Sequence, residues 1–154
     1  MTRINVIDVS LLTDQHLMAE YRELPMIAGS LRRSLKSKKG LPPIPNKYLL
    51  GKGHVSFFYN KGLFLSRRYS SLINELLIRG YNLDLNRVVD FQTFKDNGLY
   101  NDWVADYSDL GVNVSRINQR LLEKLRFYRY YSRPLQDYST EIFEDILSPK
   151  KLFY

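Results

Sequence analysis

Arg116, Arg120 and Lys124 stand four residues apart, and the run Phe127-Tyr128-Arg129-Tyr130-Tyr131 follows almost at once. On a helix, positions i and i+4 share a face, so these cations form one stripe leading into a band of flat rings. Cations neutralise phosphates and rings accept stacked bases, so the pattern suits nucleic-acid binding. Tyrosines clustered late in a chain more often belong to a core; the adjoining stripe tips the reading towards binding. The chain has no cysteine, which removes thiolate nucleophiles, disulfides and every Cys-ligated metal centre. His16 and His54 are its two histidines. Neither a dedicated metal site nor a cofactor is expected.

Bulk composition agrees. A chain of 154 residues with 44% hydrophobic content is enough for one domain with one core. No apolar run approaches the roughly 18 residues of a membrane span, and the first residues lack a signal-peptide core. A soluble, cytoplasmic monomer that does not engage membranes is the expectation. The net charge is +7 and the isoelectric point about 9.6. Residues 133–154 hold three cations against four acids, so the positive surplus lies in residues 1–132. Twelve tyrosines and eight phenylalanines add stacking surfaces to that basic body, which points to a polyanionic partner.

Three helices must position these groups. Ser10 and Thr13 are candidate caps for the first, whose stripe Leu17, Tyr21, Leu24, Ala28, Leu31 and Leu35 continues in phase past Pro25. The proline is therefore predicted to kink the helix without ending it. Lys36 to Lys39 place cations at its C-terminal end, and the proline-rich residues 41–45 form an extended loop. Residues 51–59 are an apolar connector. A second helix starts near Lys61, buries Leu65, Tyr69, Leu72, Ile73 and Leu76, and is capped by Gly80. Residues 82–112 lack periodicity and are predicted as a surface segment. The third helix is predicted from about Asn113, burying Val114, Ile117, Leu121 and Leu125. Beyond residue 132, Ser139 or Thr140 caps a short helix bearing Ile142, Phe143, Ile146 and Leu147, predicted to dock on the body. The fold expected is all-α and compact: three principal helices, long connectors and that short C-terminal helix, with residues 1–132 as the main domain and 133–154 as an extension.

The start of the chain carries a more specific signal. Residues 1–25, which include Thr2-Arg3-Ile4-Asn5 and Gln15-His16-Leu17-Met18-Ala19-Glu20-Tyr21-Arg22-Glu23-Leu24-Pro25, closely resemble the phage-type pyrimidine-dimer DNA glycosylase/lyases. The likeness returns in Gly51-Lys52-Gly53-His54-Val55-Ser56-Phe57-Phe58-Tyr59, in Arg79-Gly80-Tyr81-Asn82 and in Tyr128-Arg129-Tyr130-Tyr131, so that shared blocks reach roughly residue 132. The resemblance implies a metal-free repair enzyme that excises cis-syn cyclobutane pyrimidine dimers from duplex DNA and then cleaves the strand. It makes the α-amine of Thr2, exposed once Met1 is removed, the nucleophile. It makes Glu23 the carboxylate that stabilises charge at C1′ and moves protons, although a lone glutamate on a helix is usually just solvated. Arg3 and Arg22 would hold phosphates, Arg120 and Lys124 would contact DNA beside Arg116, and Phe127, Tyr128, Arg129 and Tyr130 would meet the lesion. His16 is either a site-lining residue or a packed one. Two positions depart from the family: Met26 replaces an arginine, and Phe127 replaces the usual tryptophan. The same chemistry on another damaged pyrimidine, or DNA binding without turnover, are the alternative readings.

Overall fold

The computed structural model describes residues 3–135; Thr2, and the helix predicted for the tail together with its predicted docking, lie outside the described residues. Helix α1 spans Asp14–Lys36. Thr13 caps it, its Oγ1 accepting from the His16 N–H at 3.2 Å, while Ser10 falls in a preceding 3₁₀ turn, Val9–Leu11. Leu17, Tyr21, Leu24, Ala28 and Leu31 are buried along one face, and Leu35 packs at its margin. Pro25 sits inside α1, which runs on for three further turns because the stripe on both sides is anchored in the same core.

A short helix α2, His54–Phe57, lies inside the predicted connector. Helix α3, Gly62–Ile78, packs antiparallel in sequence order against α1 through Leu65, Tyr69, Leu72 and Leu76, and the Tyr21 and Tyr69 rings stack at 5.6 Å. Gly80 follows its last turn at φ 86°, a left-handed conformation that glycine adopts without strain. Its first residue, Gly62, has Phe94 so close that an added Cβ would lie 2.7 Å from that side chain. Phe94 belongs to α4, Gln92–Asp96, a single turn that drops one fully buried ring into the core from the segment predicted as surface.

Helix α5 spans Tyr107–Glu123 and so begins well before Asn113. The reason is a capping box: the Asp106 carboxylate accepts from the Asp109 N–H, and Asp109 accepts from the Asp106 N–H, each at 2.9 Å. Val114, Ile117 and Leu121 are buried as expected, but Leu125 lies past the helix end and is 38% exposed. The chain then forms a hairpin, with β1 (Arg129–Tyr130) antiparallel to β2 (Arg133–Pro134) in the register Arg129↔Pro134 and Tyr130↔Arg133. Tyr131 and Ser132 both have positive φ, 48° and 64°, the geometry of a two-residue hairpin turn. The architecture is mostly helical, with three long helices around one core into which Ile4, Ile7 and Leu12 of the N-terminal segment are fully inserted. No helix among the described residues is long and apolar enough to cross a membrane.

Candidate active site

Glu20 and Glu23 are three residues apart on α1, so both face the N-terminal segment. The Arg3 N–H donates to Glu23 Oε2 at 2.8 Å, and Asn5 Nδ2 donates to Glu20 Oε2 at 2.8 Å. Alternate residues of an extended segment thus meet successive turns of the helix. The two carboxylates differ in surroundings. Glu20 is fully buried and ion-paired to Arg68, with Arg68 Nε at 2.7 Å, so its charge is already compensated. Glu23 is only partly buried and faces a cavity of about 320 Å³.

That cavity is walled by Arg3, His16, Ala19, Arg120, Lys124, Phe127 and Tyr128, together with Asn5 and the two glutamates. Three cations therefore share the cavity with two carboxylates, of which Glu20 is already ion-paired to Arg68. Arg3 has its pKa lowered, first by burial and then by the charges of Arg116 and Arg120. Arginines that repel one another across a shared space form an environment that an incoming polyanion relieves. Arg120 also leans on Glu123 at 3.2 Å, an exposed pair of small worth. His16 stacks face to face on Tyr128, with ring centroids 4.7 Å apart, and its Nδ1 lies 2.7 Å from Thr13 Oγ1. Burial, reinforced by Arg3 and Arg120, pushes its pKa down to about 4, so it lines the cavity as a neutral ring. It is at once a packed residue and a wall of the site.

Phe127 and Ala19 are shared with a second, larger cavity of about 670 Å³ next door. Its lining includes Arg22, Met18, Tyr81, Asn82 and Arg129. The sequence-predicted set thus divides between two adjoining spaces on α1, with the exposed Phe127 ring between them. Two members stand apart. Arg116 bonds Gln119 at 2.9 Å and lines a different surface hollow beside Leu50. Tyr130 turns inward, its hydroxyl donating to the Ser10 carbonyl at 2.8 Å and its ring packing on the Arg79 guanidinium.

The aromatic segment is placed by residues that the sequence reading did not single out. Gln15 donates from Nε2 to the Phe127 carbonyl at 2.9 Å and accepts from the Arg129 N–H at 2.8 Å, acting as a side-chain substitute for a neighbouring strand. Asp14 accepts from the N–H groups of Tyr131 and Ser132, and Tyr131 Oη donates to Glu75. Arg79 joins both acids, at 3.0 Å and 2.9 Å, and lies under the rings of Tyr130 and Tyr131.

Cations, a part-exposed carboxylate and stackable rings lie around one cavity, a combination suited to nucleic-acid chemistry. The family model described as pyrimidine dimer DNA glycosylase matches residues 1–88, more than half of the chain. The chain belongs to that family, and is thereby a DNA-repair glycosylase whose partner is DNA carrying pyrimidine dimers. The match ends before α4, so α5 and the aromatic hairpin, which the sequence resemblance had included, lie beyond it.

Proposed function

We infer that the enzyme is bifunctional, removing cis-syn pyrimidine dimers from duplex DNA and cleaving the resulting abasic strand through an imine on Thr2. The observation that carries this reading is the 2.8 Å bond from the Arg3 N–H to Glu23, at the mouth of the basic cavity. Residue 2 is joined covalently to that nitrogen, so bond lengths alone keep its α-amine within about 4 Å of it. An α-amine also has the right acidity, since its reference pKa of about 7.7–8.0 leaves a usable neutral fraction at pH 7.

In this scheme the amine lone pair bonds to C1′ as the bond to the pyrimidine nitrogen breaks, and the electron pair leaves with the base, which takes up a proton. The C1′–O4′ bond then opens to give the imine, and O4′ is protonated. Glu23 removes a C2′ proton; its electrons form the C2′–C3′ double bond and expel the 3′ phosphate oxygen. Water hydrolyses the imine and frees the amine. Arg3, Arg120 and Lys124 hold phosphates, and Phe127 and Tyr128 offer faces to the damaged step. The protein acts as a monomer and in the cytoplasm.

Borohydride reduction during reaction with dimer-containing and abasic duplexes tests this. The expected adduct maps to Thr2; an adduct confined to an internal lysine overturns it.

A further inference from the structure

The N-terminal segment is extended yet pairs with no strand among the described residues. Side chains from across the fold take the place of a neighbouring strand. The Ile4 N–H donates to His54 Nε2 at 2.8 Å, and Tyr48 Oη donates to the Ile4 carbonyl at 2.8 Å. Asn113 Oδ1 accepts from the Val6 and Ile7 N–H groups at 2.8 and 3.2 Å, and Arg68 donates to the Ile7 carbonyl. Ile4, like Ile7, has its N–H and C=O both bonded and its side chain buried, and it is the one of the two next to Arg3.

The imidazole of His54 can serve only in one form. Its Nδ1 lies 2.7 Å from the Leu49 carbonyl, which accepts and cannot donate, so Nδ1 carries the proton and Nε2 keeps a lone pair for Ile4. The ring is 2% exposed and is wedged edge-on by Tyr48 and Phe58 at 5.6 and 5.4 Å. Burial, with Arg3 as a lesser cause, lowers its pKa, which favours that neutral form.

We propose that His54 is a positioning residue for the chemistry at the head of the chain: by gripping the Ile4 N–H, it holds the preceding N–H of Arg3 on Glu23 and so aims the amine of residue 2. This rests on the reading that this amine is the nucleophile. The gripped N–H and the one on Glu23 belong to adjacent residues, so there is almost no slack between anchor and reactive end. His54 touches no substrate atom in this scheme. Its effect lies in the turnover step and not in DNA affinity, which the cations supply.

The test compares His54→Leu, His54→Gln and Tyr48→Phe with the parent full-length protein on an abasic duplex. Single-turnover borohydride trapping, KM and the site of the adduct are measured for each. Displacing a reacting group by about 1 Å can cost about 100-fold, so His54→Leu is expected to slow trapping by about 10- to 100-fold with KM nearly unchanged. His54→Gln, whose amide oxygen can accept from Ile4, should restore most of the rate. Tyr48→Phe, which deletes only the bond to the Ile4 carbonyl, should lose a few-fold and keeps the idea testable if His54→Leu does not fold. Trapping at the parental rate in the folded variants overturns the proposal, as does a loss expressed in KM or an equal loss in the Gln and Leu variants. An adduct on Thr2 in the parent with normal trapping in the variants sinks only the role of His54. An internal-lysine adduct in the parent sinks the nucleophile reading beneath it.

Discussion

Glu23 and Glu20 show how one residue type takes two roles within a single helical turn. Both border the same cavity, but Glu20 is sealed against Arg68 and Asn5, whereas Glu23 is partly exposed and accepts a hydrogen bond from one backbone N–H. Glu23→Gln preserves the shape and an acceptor for the Arg3 N–H while removing the charge and the proton-transfer group. DNA binding should survive, and strand cleavage should fall by about 100-fold or more, as read by single-turnover kinetics on an abasic duplex. Cleavage at the parental rate would reduce Glu23 to a surface residue. His16 carries the second residue-scale prediction. Burial holds it neutral down to about pH 4, while the unfolded chain takes up that proton near pH 6.5. Its contribution is therefore complete above pH 6.5 and is lost as the pH falls towards 4, by up to roughly 2–3 kcal/mol. The melting temperature of the parent should drop more steeply between pH 7 and 4.5 than that of His16→Gln; parallel curves would clear His16 of that role.

At the scale of elements, long amphipathic helices were legible and everything short was not. The stripe of α1 was readable through Pro25 because a buried face outweighs one missing hydrogen bond. The start of α5 was misplaced because its first turns hold Gly111 and Val112, which break the apolar period; its signal is the capping pair Asp106 and Asp109. The hairpin escaped because Tyr131 and Ser132 are unusual residues for positive φ, adopted here under the pull of Asp14 on both N–H groups. The site followed the same rule. Spacing picked out Arg116, Arg120 and Lys124, of which only the last two line the cavity beside Glu23, and the cradle around Ile4 joins residues about 50 to 110 apart in sequence, which no local pattern encodes. The prediction at this scale concerns the end of α5, where Arg120 and Lys124 enter the cavity. Each phosphate contact contributes about 0.9 to the slope of log affinity against log salt, so Arg120→Ala with Lys124→Ala should flatten it by up to about two units. An unchanged slope would move the DNA surface elsewhere.

For the molecule as a whole, the family match covers α1 to α3; beyond it, α4 is fastened back by the buried Phe94 ring, α5 by its apolar face and Asn113, and the hairpin through buried charge. Arg79, with fully buried guanidinium contacts to Asp14 and Glu75, is the fastening for the hairpin, and Leu135 closes it at 2% exposure. Truncation after Ser132 removes β2 and Leu135. It should lower the melting temperature while leaving imine trapping measurable, because Glu23 and the segment around Ile4 are held by other residues. Loss of trapping in a truncated but folded protein would show that the hairpin helps to build the site.

The cradle of Ile4 also has a consequence in time. Asn113, which holds Val6 and Ile7, is synthesised more than a hundred residues after them. At about 5–20 residues per second, the head of a growing chain waits roughly 5–25 s before this last clasp exists. A ribosome thus releases the N-terminus first and the fold captures it late. Removal of Met1, which the proposed chemistry requires, has that interval in which to act on a loose end.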